Sequence, residues 1–436
     1  MSIAKLLSHL SGLSPQARYA LMKMWLENGH SLPLRMSVQD CARHMAIPRA
    51  RAGKVINELI DAGHIEPDYR IGQRGRPKLF IDISAATTEM LRNLTPTNPG
   101  DVLHLESVHR LLTHRTSDAD ADADSPSLSP ANLVFLIALL SCANECGAVH
   151  DLGTARLNTY TGMTAQRINL QISKMRRLGV LLSTVPGITS GRILGRTTTT
   201  YWLNLNHHLL KGPDHPMIVK RTLVMLESGD IVNELFELIR VFKVEKRQYM
   251  KKSGRRFSNR QAAELASKKL NDHLIMKIPK LDICLVEDFF GEVENPGLRL
   301  AFQSMVDQVA GDRALARISA KQTNGKISLT TSMLRYLYQE LLPLHSQRND
   351  ATDFPTRKNK QMLMRLALYL AKTLADELTA LLPHLELAIS EITSLELAPT
   401  SRKPSKDRQL IVASSPAEGK QQTKIEKLNG GDENDT

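Results

Sequence analysis

The chain has 436 residues, 42% of them apolar, so it is long enough to bury the cores of two to four domains. Its net charge of +12 favours a polyanionic partner, and an aromatic content of 4% argues against proteins that stack successive single-stranded bases on aromatic rings. These numbers indicate duplex DNA as the partner.

The sequence lacks the features of a secreted, membrane or cofactor-binding protein. Four cysteines are too few for a disulfide scaffold, the N-terminus does not look like a signal peptide, and no apolar run approaches the roughly 20 residues of a membrane span. No catalytic triad, carboxylate pair or zinc-site spacing stands out. We therefore expect a cytoplasmic protein that is not an enzyme, with no membrane partner, cofactor, metal or identifiable small-molecule ligand.

Residues 14–83 predict three helices followed by a β-hairpin. The pair Ser14-Pro15 is typical of a helix start, and Gly63 is typical of a helix end. The predicted helical segments are 15–28, 37–48 and 49–63, and the predicted hairpin strands are 65–70 and 79–83.

The helix that ends before Gly63 has an apolar side and a polar side. We expect its apolar residues to face a core, which leaves four outward side chains, namely Arg49, Arg51, Lys54 and Asn57. Arginine can bind guanine and asparagine can bind adenine through two hydrogen bonds each, and lysine suits a phosphate. The alternative is a basic face of a solvated helix.

The predicted hairpin tip is also basic. Its cations are Arg74, Arg76 and Lys78. Cations on a tight turn fit a narrow minor groove, and the Arg-Gly-Arg-Pro core resembles an AT-hook. The alternative interpretation is that these cations only keep an exposed turn soluble and do not contact DNA.

Residues 95–128 predict an acidic flexible linker. They hold two Lys/Arg against six Asp/Glu, with several prolines and one short amphipathic piece near 102–112. We expect the domains on either side to reorient freely.

A second copy of the pattern follows the linker. Ser129-Pro130 repeats the first helix start, and the step from Thr164 to Gly179 equals that from Pro48 to Gly63. The expected DNA-facing residues of this copy are Gln166, Arg167, Asn169 and Lys174 on the helix and Arg192 and Arg196 on the hairpin. Leu170 stands where the first copy has Lys54, and an outward leucine also suits a protein partner, so both interpretations stay open.

Residues 212–398 predict an all-α domain, and the polar residues 399–436 predict a disordered tail. The run 240–260 holds nine cations and one acid, which indicates either a phosphate-binding patch or a basic linker between helices. Apolar residues recur at helical spacing from Met362 to Leu378. This stripe suits a homodimer seam, which we favour, or the core of the domain itself.

The two helix-turn-helix-hairpin segments resemble the winged helix-turn-helix superfamily over residues 14–84 and 129–210. The resemblance implies a mainly α fold with small β-hairpin wings: a winged-helix domain in 1–94 and a second one in 129–211, before the all-α domain. Two such units in one chain are also similar in layout to plasmid replication initiators, although the long helical C-terminal half departs from them. We expect a sequence-specific duplex-DNA-binding protein acting as a transcriptional regulator. The alternatives are a replication initiation or partition protein of a plasmid or integrative mobile element, and a kleisin-like architectural protein.

Overall fold

The computed structural model describes residues 2–27, 36–45, 49–70, 78–94, 103–113, 128–188, 197–211, 217–223, 227–254, 296–322, 357–385, 391–400 and 407–414. The chain is mainly helical with small antiparallel sheets, as predicted. It forms two compact units. Unit 1 comprises Met1–Leu182 and Tyr201–His215, and unit 2 comprises Ser183–Thr200 and Pro216–Thr436.

Unit 1 begins with the predicted order of helices and hairpin. Its elements are α1 (Ile3–His9), α2 (Pro15–Glu27), β1 (Met36–Ser37), α3 (Val38–His44), α4 (Arg49–Asp61), β2 (Ile65–Arg70), β3 (Lys78–Ile83) and α5 (Ala85–Asn93). The three strands form one antiparallel sheet in the order β1-β3-β2. Ser14 caps α2, since its Oγ accepts a hydrogen bond from the backbone of Ala17 at 3.3 Å. We call residues 14–83 the first module.

The predicted end of α4 at Gly63 is confirmed. Gly63 has a left-handed backbone with φ +72°, which a residue with a Cβ rarely adopts. Its N–H donates to the carbonyl of Ile60, and the N–H of His64 donates to Leu59, each at 2.9 Å. These two bonds satisfy helix carbonyls that otherwise lack donors, so the chain leaves α4 in a fixed direction toward β2.

The same arrangement recurs in residues 129–203, which we call the second module. The elements here are α6 (Leu105–Thr113) before the module, then α7 (Pro130–Leu140), β4 (Ala148–Val149), α8 (Thr154–Thr161), α9 (Ala165–Arg177), β5 (Leu181–Val185) and β6 (Thr200–Leu203). The strands again form a three-stranded sheet, in the order β4-β6-β5. Gly179 ends α9 with φ +71°, matching Gly63.

Helix α6 corrects the prediction of a flexible linker between freely moving domains. It lies within the predicted linker, but it packs against both α2 and α7. Val108, Leu111 and Leu112 are buried, and the hydroxyl of Ser107 donates to the carbonyl of Leu210 at 2.6 Å. The amphipathic piece was visible in the sequence, whereas the apolar surface that it covers was not. The rest of the predicted linker, residues 95–102 and 114–127, lies outside the described residues.

The two modules also pack directly on each other around Arg18. This side chain is 1% exposed, and its guanidinium donates to the carbonyls of Leu13 at 2.9 Å and Leu7 at 3.2 Å. A third bond reaches the carbonyl of Thr159 in α8, across the contact between modules. Burial lowers the pKa of Arg18 to about 10, and the nearby Glu58 carboxylate opposes this shift. Unit 1 is therefore one body that contains the first module and the second module apart from Ser183–Thr200.

Unit 2 contains a sheet that the sequence did not predict. Its elements are β7 (Met217–Leu223), α10 (Glu227–Ser253), α11 (Pro296–Gln322), α12 (Arg357–Leu381), a 3₁₀ turn (Leu382–Leu385), β8 (Ile392–Pro399) and β9 (Arg408–Ser414). The strand order is β7-β9-β8, all antiparallel. The prediction of an all-α domain is therefore wrong, and so is that of a disordered tail for residues 408–414. Four successive residues of β9, Leu410 to Ala413, are buried, which stabilises this strand inside an otherwise polar segment.

A buried ion pair fixes β9 to α11. The Nε of Arg408 donates to Oδ2 of Asp307 at 2.7 Å, and both side chains are almost fully buried. Burial raises the pKa of Asp307, and the guanidinium of Arg408 opposes that shift. Because each charge compensates the other in a medium of low dielectric constant, removing either one leaves a buried charge without its partner.

The leucine stripe of α12 lies in the core of unit 2. Leu366, Leu370, Leu374 and Leu378 are buried in a cluster that also contains residues of α11 and of the sheet. The side chains of Met362 and Leu363 lie outside the described set. The interpretation of the stripe as a dimer seam is therefore corrected, because its apolar face already has partners within the chain.

The basic run that begins at Arg240 is helical as far as Ser253, at the end of α10. The interpretation as a linker is thus wrong for this part, and residues 255–260 lie outside the described residues.

Candidate nucleic-acid interface

Helix α4 divides into a buried and an exposed side. Ala52, Val55, Ile56 and Leu59 are buried, as expected for the core side. Arg51, Lys54 and Asn57 are exposed and follow one another at three-residue steps, so they line one outward strip. Arg49 is the first residue of α4, and its side chain is outside the described set.

Glu58 fixes α4 against the start of α2. The hydroxyl of Ser14 donates to Oε2 of Glu58 at 2.7 Å, and the backbone N–H of Ser14 donates to the other carboxylate oxygen. The hydroxyl oxygen also accepts the capping bond from Ala17. One serine thus caps α2 and positions α4, so the outward strip of α4 projects from a fixed support.

Lys174 has the corresponding function in the second module. Its ammonium donates to Oδ1 of Asn132 at 2.8 Å, and the backbone of Ser129 donates to the same oxygen at 2.9 Å. Asn132 also donates to Gln171 of α9. The structure therefore directs Lys174 toward the cap of α7, while sequence reasoning had assigned it to DNA.

The rest of the exposed face of α9 is polar apart from Ala165 at its start and Leu170. Gln166, Asn169 and Ser173 are exposed, and Arg167 is half-buried. Leu170 is 63% exposed. No acidic residue occurs between Ala165 and Arg177, so α9 presents hydrogen-bonding groups and positive charge around a single leucine.

The hairpin tips carry the remaining predicted contacts. Arg74, Arg76, Arg192 and Arg196 lie outside the residues that the structure describes. Lys78 begins β3 and pairs with Arg70 in the register of the hairpin, and its side chain is likewise outside the described set. Contact between the hairpins and DNA thus stays a prediction.

Sequence reasoning missed the residues that hold the interface together. The anchoring role of Glu58 and Lys174 could have been noticed because each is the tenth residue of its 13-residue helix. The sequence around Arg18 carried no such signal, because a basic residue on a helix is ordinarily solvated.

The described part of the chain offers neither a group of three His, Cys, Asp or Glu side chains placed to hold a metal ion nor a helix suited by length and apolarity to cross a membrane. Cys41 is buried, and burial raises the pKa of its thiol to about 12, so it stays protonated at neutral pH. Cys142 and Cys146 lie in the turns after α7.

No protein-family model, no curated protein and no solved structure matches this chain. The resemblance to the winged helix-turn-helix superfamily therefore stays a prediction from the residue pattern.

Proposed function

We propose that this chain binds duplex DNA and reads its sequence through α4, with α9 as a second reading helix. The observation that carries the proposal is the exposed strip of Arg51, Lys54 and Asn57 on the second helix of a helix-turn-helix. A helix in this position enters the major groove and presents its outward side chains to base edges and phosphates.

The three side chains have separable tasks. Arg51 donates two hydrogen bonds to one guanine, and Asn57 pairs with an adenine, so both discriminate between bases. Lys54 neutralises a phosphate and adds affinity without sequence preference. The anchoring of α4 through Glu58 supports these tasks, because a reading helix that is already in position loses less entropy on binding.

The test is a selection of binding sites from random duplex DNA with the full chain. Arg51→Ala should remove the preference for one base at one position of the site, which corresponds to a loss of about 1–3 kcal/mol of discrimination between bases. Lys54→Ala should weaken all sites alike and make binding less dependent on salt. Arg92→Ala on α5 is the matched control, since it removes an exposed arginine outside both reading helices. Unchanged preferences for Arg51→Ala contradict the assignment of this face.

Transcriptional regulation is the cellular role that we propose first. Mapping the sites that the protein occupies on a genome separates it from the other roles. A regulator marks promoters, an initiator marks one origin with repeated sites, and a partition or architectural protein spreads over longer regions.

Replication initiation is the second candidate, and the packing of the two modules favours it. Arg18 and helix α6 join both modules in unit 1, so the two reading helices are held in one body. Such a body suits tandem repeats with constant spacing. Insertion of five base pairs between two halves of a selected site should then abolish binding, whereas two independently moving domains would tolerate it.

A further inference from the structure

The proposed function leaves Leu170 unexplained. At 63% exposure it is, with Val244 and Met250, one of three large apolar side chains that are exposed in the described part of the chain. Single exposed apolar residues are common, so exposure alone carries no argument. The position of Leu170 is more informative than its exposure. Leu170 is the sixth residue of the 13-residue helix α9, and Lys54 is the sixth residue of the 13-residue helix α4.

The surroundings of Leu170 are those of a surface for a polyanion. Its neighbours on the exposed side, one turn before, beside it and one turn after, are Gln166, Asn169 and Ser173. The helix has no acid, and the exposed Arg177 lies in its last turn. A protein interface has a core of clustered apolar side chains, which this face does not offer.

The floor of the major groove presents the same combination of one apolar group among polar ones. There the C5-methyl group of a pyrimidine stands beside hydrogen-bonding base edges, and apolar side chains read it by contact. A lysine at this place reaches outward to a phosphate, but a leucine side chain ends two atoms earlier. It therefore touches only what lies directly opposite the helix, which in the groove is a base edge.

We propose that Leu170 forms a site for the 5-methyl group of a pyrimidine in duplex DNA, that is, of thymine or 5-methylcytosine. The inference rests on the proposed function and adds that the two modules read differently. At equivalent positions, the first module contacts the backbone through Lys54, and the second reads a base methyl through Leu170.

The experiment uses the full chain and the sequence that it selects from random duplex DNA. Each thymine of that site is replaced in turn by deoxyuridine, which removes only the methyl group. At one thymine the wild-type chain should lose affinity about fourfold, the value expected for one methyl group withdrawn from an apolar contact. Leu170→Ala should bind the thymine and uracil sites equally well, and Leu170→Met should retain the preference for thymine.

Ser173→Ala is the matched control, because it changes an exposed neighbour on the same helix and should leave the thymine-to-uracil ratio unaltered. Thermal unfolding of each variant checks that the exposed substitutions leave the fold intact. At the responsive position, 5-methylcytosine is then compared with cytosine. A gain identifies methylated cytosine as a second ligand of the site, and no gain restricts the site to thymine.

Three results overturn the proposal. One is a wild-type chain that binds its selected site equally well with uracil at every position. Another is a Leu170→Ala variant that still prefers the thymine site over the uracil site by the same ratio of affinities as the wild type. The third is a change of oligomeric mass in Leu170→Ala, seen by light scattering, with the ratio unchanged, since Leu170 is then a protein contact. Failure to enrich any sequence contradicts the proposed function itself and is distinguishable from all three.

Discussion

Glu58 and Lys174 both occupy the tenth position of a 13-residue helix, and both hold that helix to the capped start of the first helix in their module. Glu58 accepts from the cap residue Ser14, and Lys174 donates to Asn132 of the capping box. The two modules thus share a hydrogen bond at the same position, made by a negatively charged side chain in the first module and by a positively charged one in the second. The acid needs a donor and the base needs an acceptor, so the caps differ accordingly.

Replacing Glu58 by alanine should destabilise unit 1. The substitution leaves the hydroxyl and the N–H of Ser14 without their acceptor, and a lost hydrogen bond to a charged group costs about 1.5–3 kcal/mol. Urea denaturation measures the free energy of unfolding. Glu89→Ala, an exposed acid on α5, is the control and should change it by less than about 0.5 kcal/mol. Equal values for the two variants contradict the anchoring function of Glu58.

Two glycines with nearly the same backbone should differ in their tolerance of alanine. Gly162 and Gly179 have φ +67° and +71°, so alanine costs each about 1 kcal/mol from the backbone conformation alone. A Cβ at Gly162 would also collide with the carbonyl oxygen of Leu13, directly before the first module, whereas one at Gly179 meets no atom within 4 Å. We expect Gly162→Ala to lower the melting temperature clearly more than Gly179→Ala. Similar shifts for both variants contradict the close contact between the modules.

The buried pair of Asp307 and Arg408 should be essential for unit 2. Replacing either residue by alanine should cost about 3–5 kcal/mol, since the remaining charge is buried without its partner. The double variant Asp307→Ala/Arg408→Ala should lose less than the sum of the single losses, because it leaves neither charge buried without its partner. Chemical denaturation of the wild type, the two single variants and the double variant gives the coupling energy between the two residues. Strictly additive losses of stability contradict a direct interaction between them.

Two truncations separate β9 from the residues after it. A chain that ends at residue 407 lacks the central strand of the sheet in unit 2 and should unfold there. A chain that ends at residue 416 keeps the strand and should remain as stable as the full chain. Limited proteolysis of both chains provides the measurement.

Protonation of His64 should destabilise unit 1. Its Nδ1 lies 3.0 Å from the hydroxyl of Thr87, and burial lowers the pKa of the imidazole below 6.5. The unfolded chain therefore takes up a proton first as the pH falls below 6.5, so stability decreases until the pH passes the lowered pKa of the folded state. His64→Gln should show a smaller loss of stability than the wild type between pH 7.5 and pH 5.5, and His9→Gln at an exposed site should behave like the wild type. An equal loss of stability in all three proteins contradicts the assignment of this pH dependence to His64.

Local signals allowed the helices and hairpin strands of both modules to be predicted. The bounds of α4 and α9 follow from a cap or proline, an apolar spacing and a glycine, all within 16 residues. The exposed strip of α4 follows from the same spacing. The contacts that assemble these elements join residues far apart, such as Arg18 with Thr159 or Asp307 with Arg408, and no local pattern marks them.

Distance in sequence explains only part of why the sheet of unit 2 was missed. Strand β9 pairs Met217 with Ser414, almost two hundred residues away, and its own segment is short and flanked by polar residues. The pairing of β9 with β8 is local, since Pro399 faces Arg408, so only the pairing with β7 joins distant parts of the sequence.

The central place of β9 between β7 and β8 has a consequence for synthesis on the ribosome. Strand β7 emerges early, but its partner β9 emerges only after α12 and β8 have been translated. While the residues between β7 and β9 are translated, unit 1 can already be complete and β7 exposes unpaired backbone groups. The nascent chain thus passes through a long stage in which a folded N-terminal half carries an unfinished sheet, and that stage is where a chaperone would be needed most.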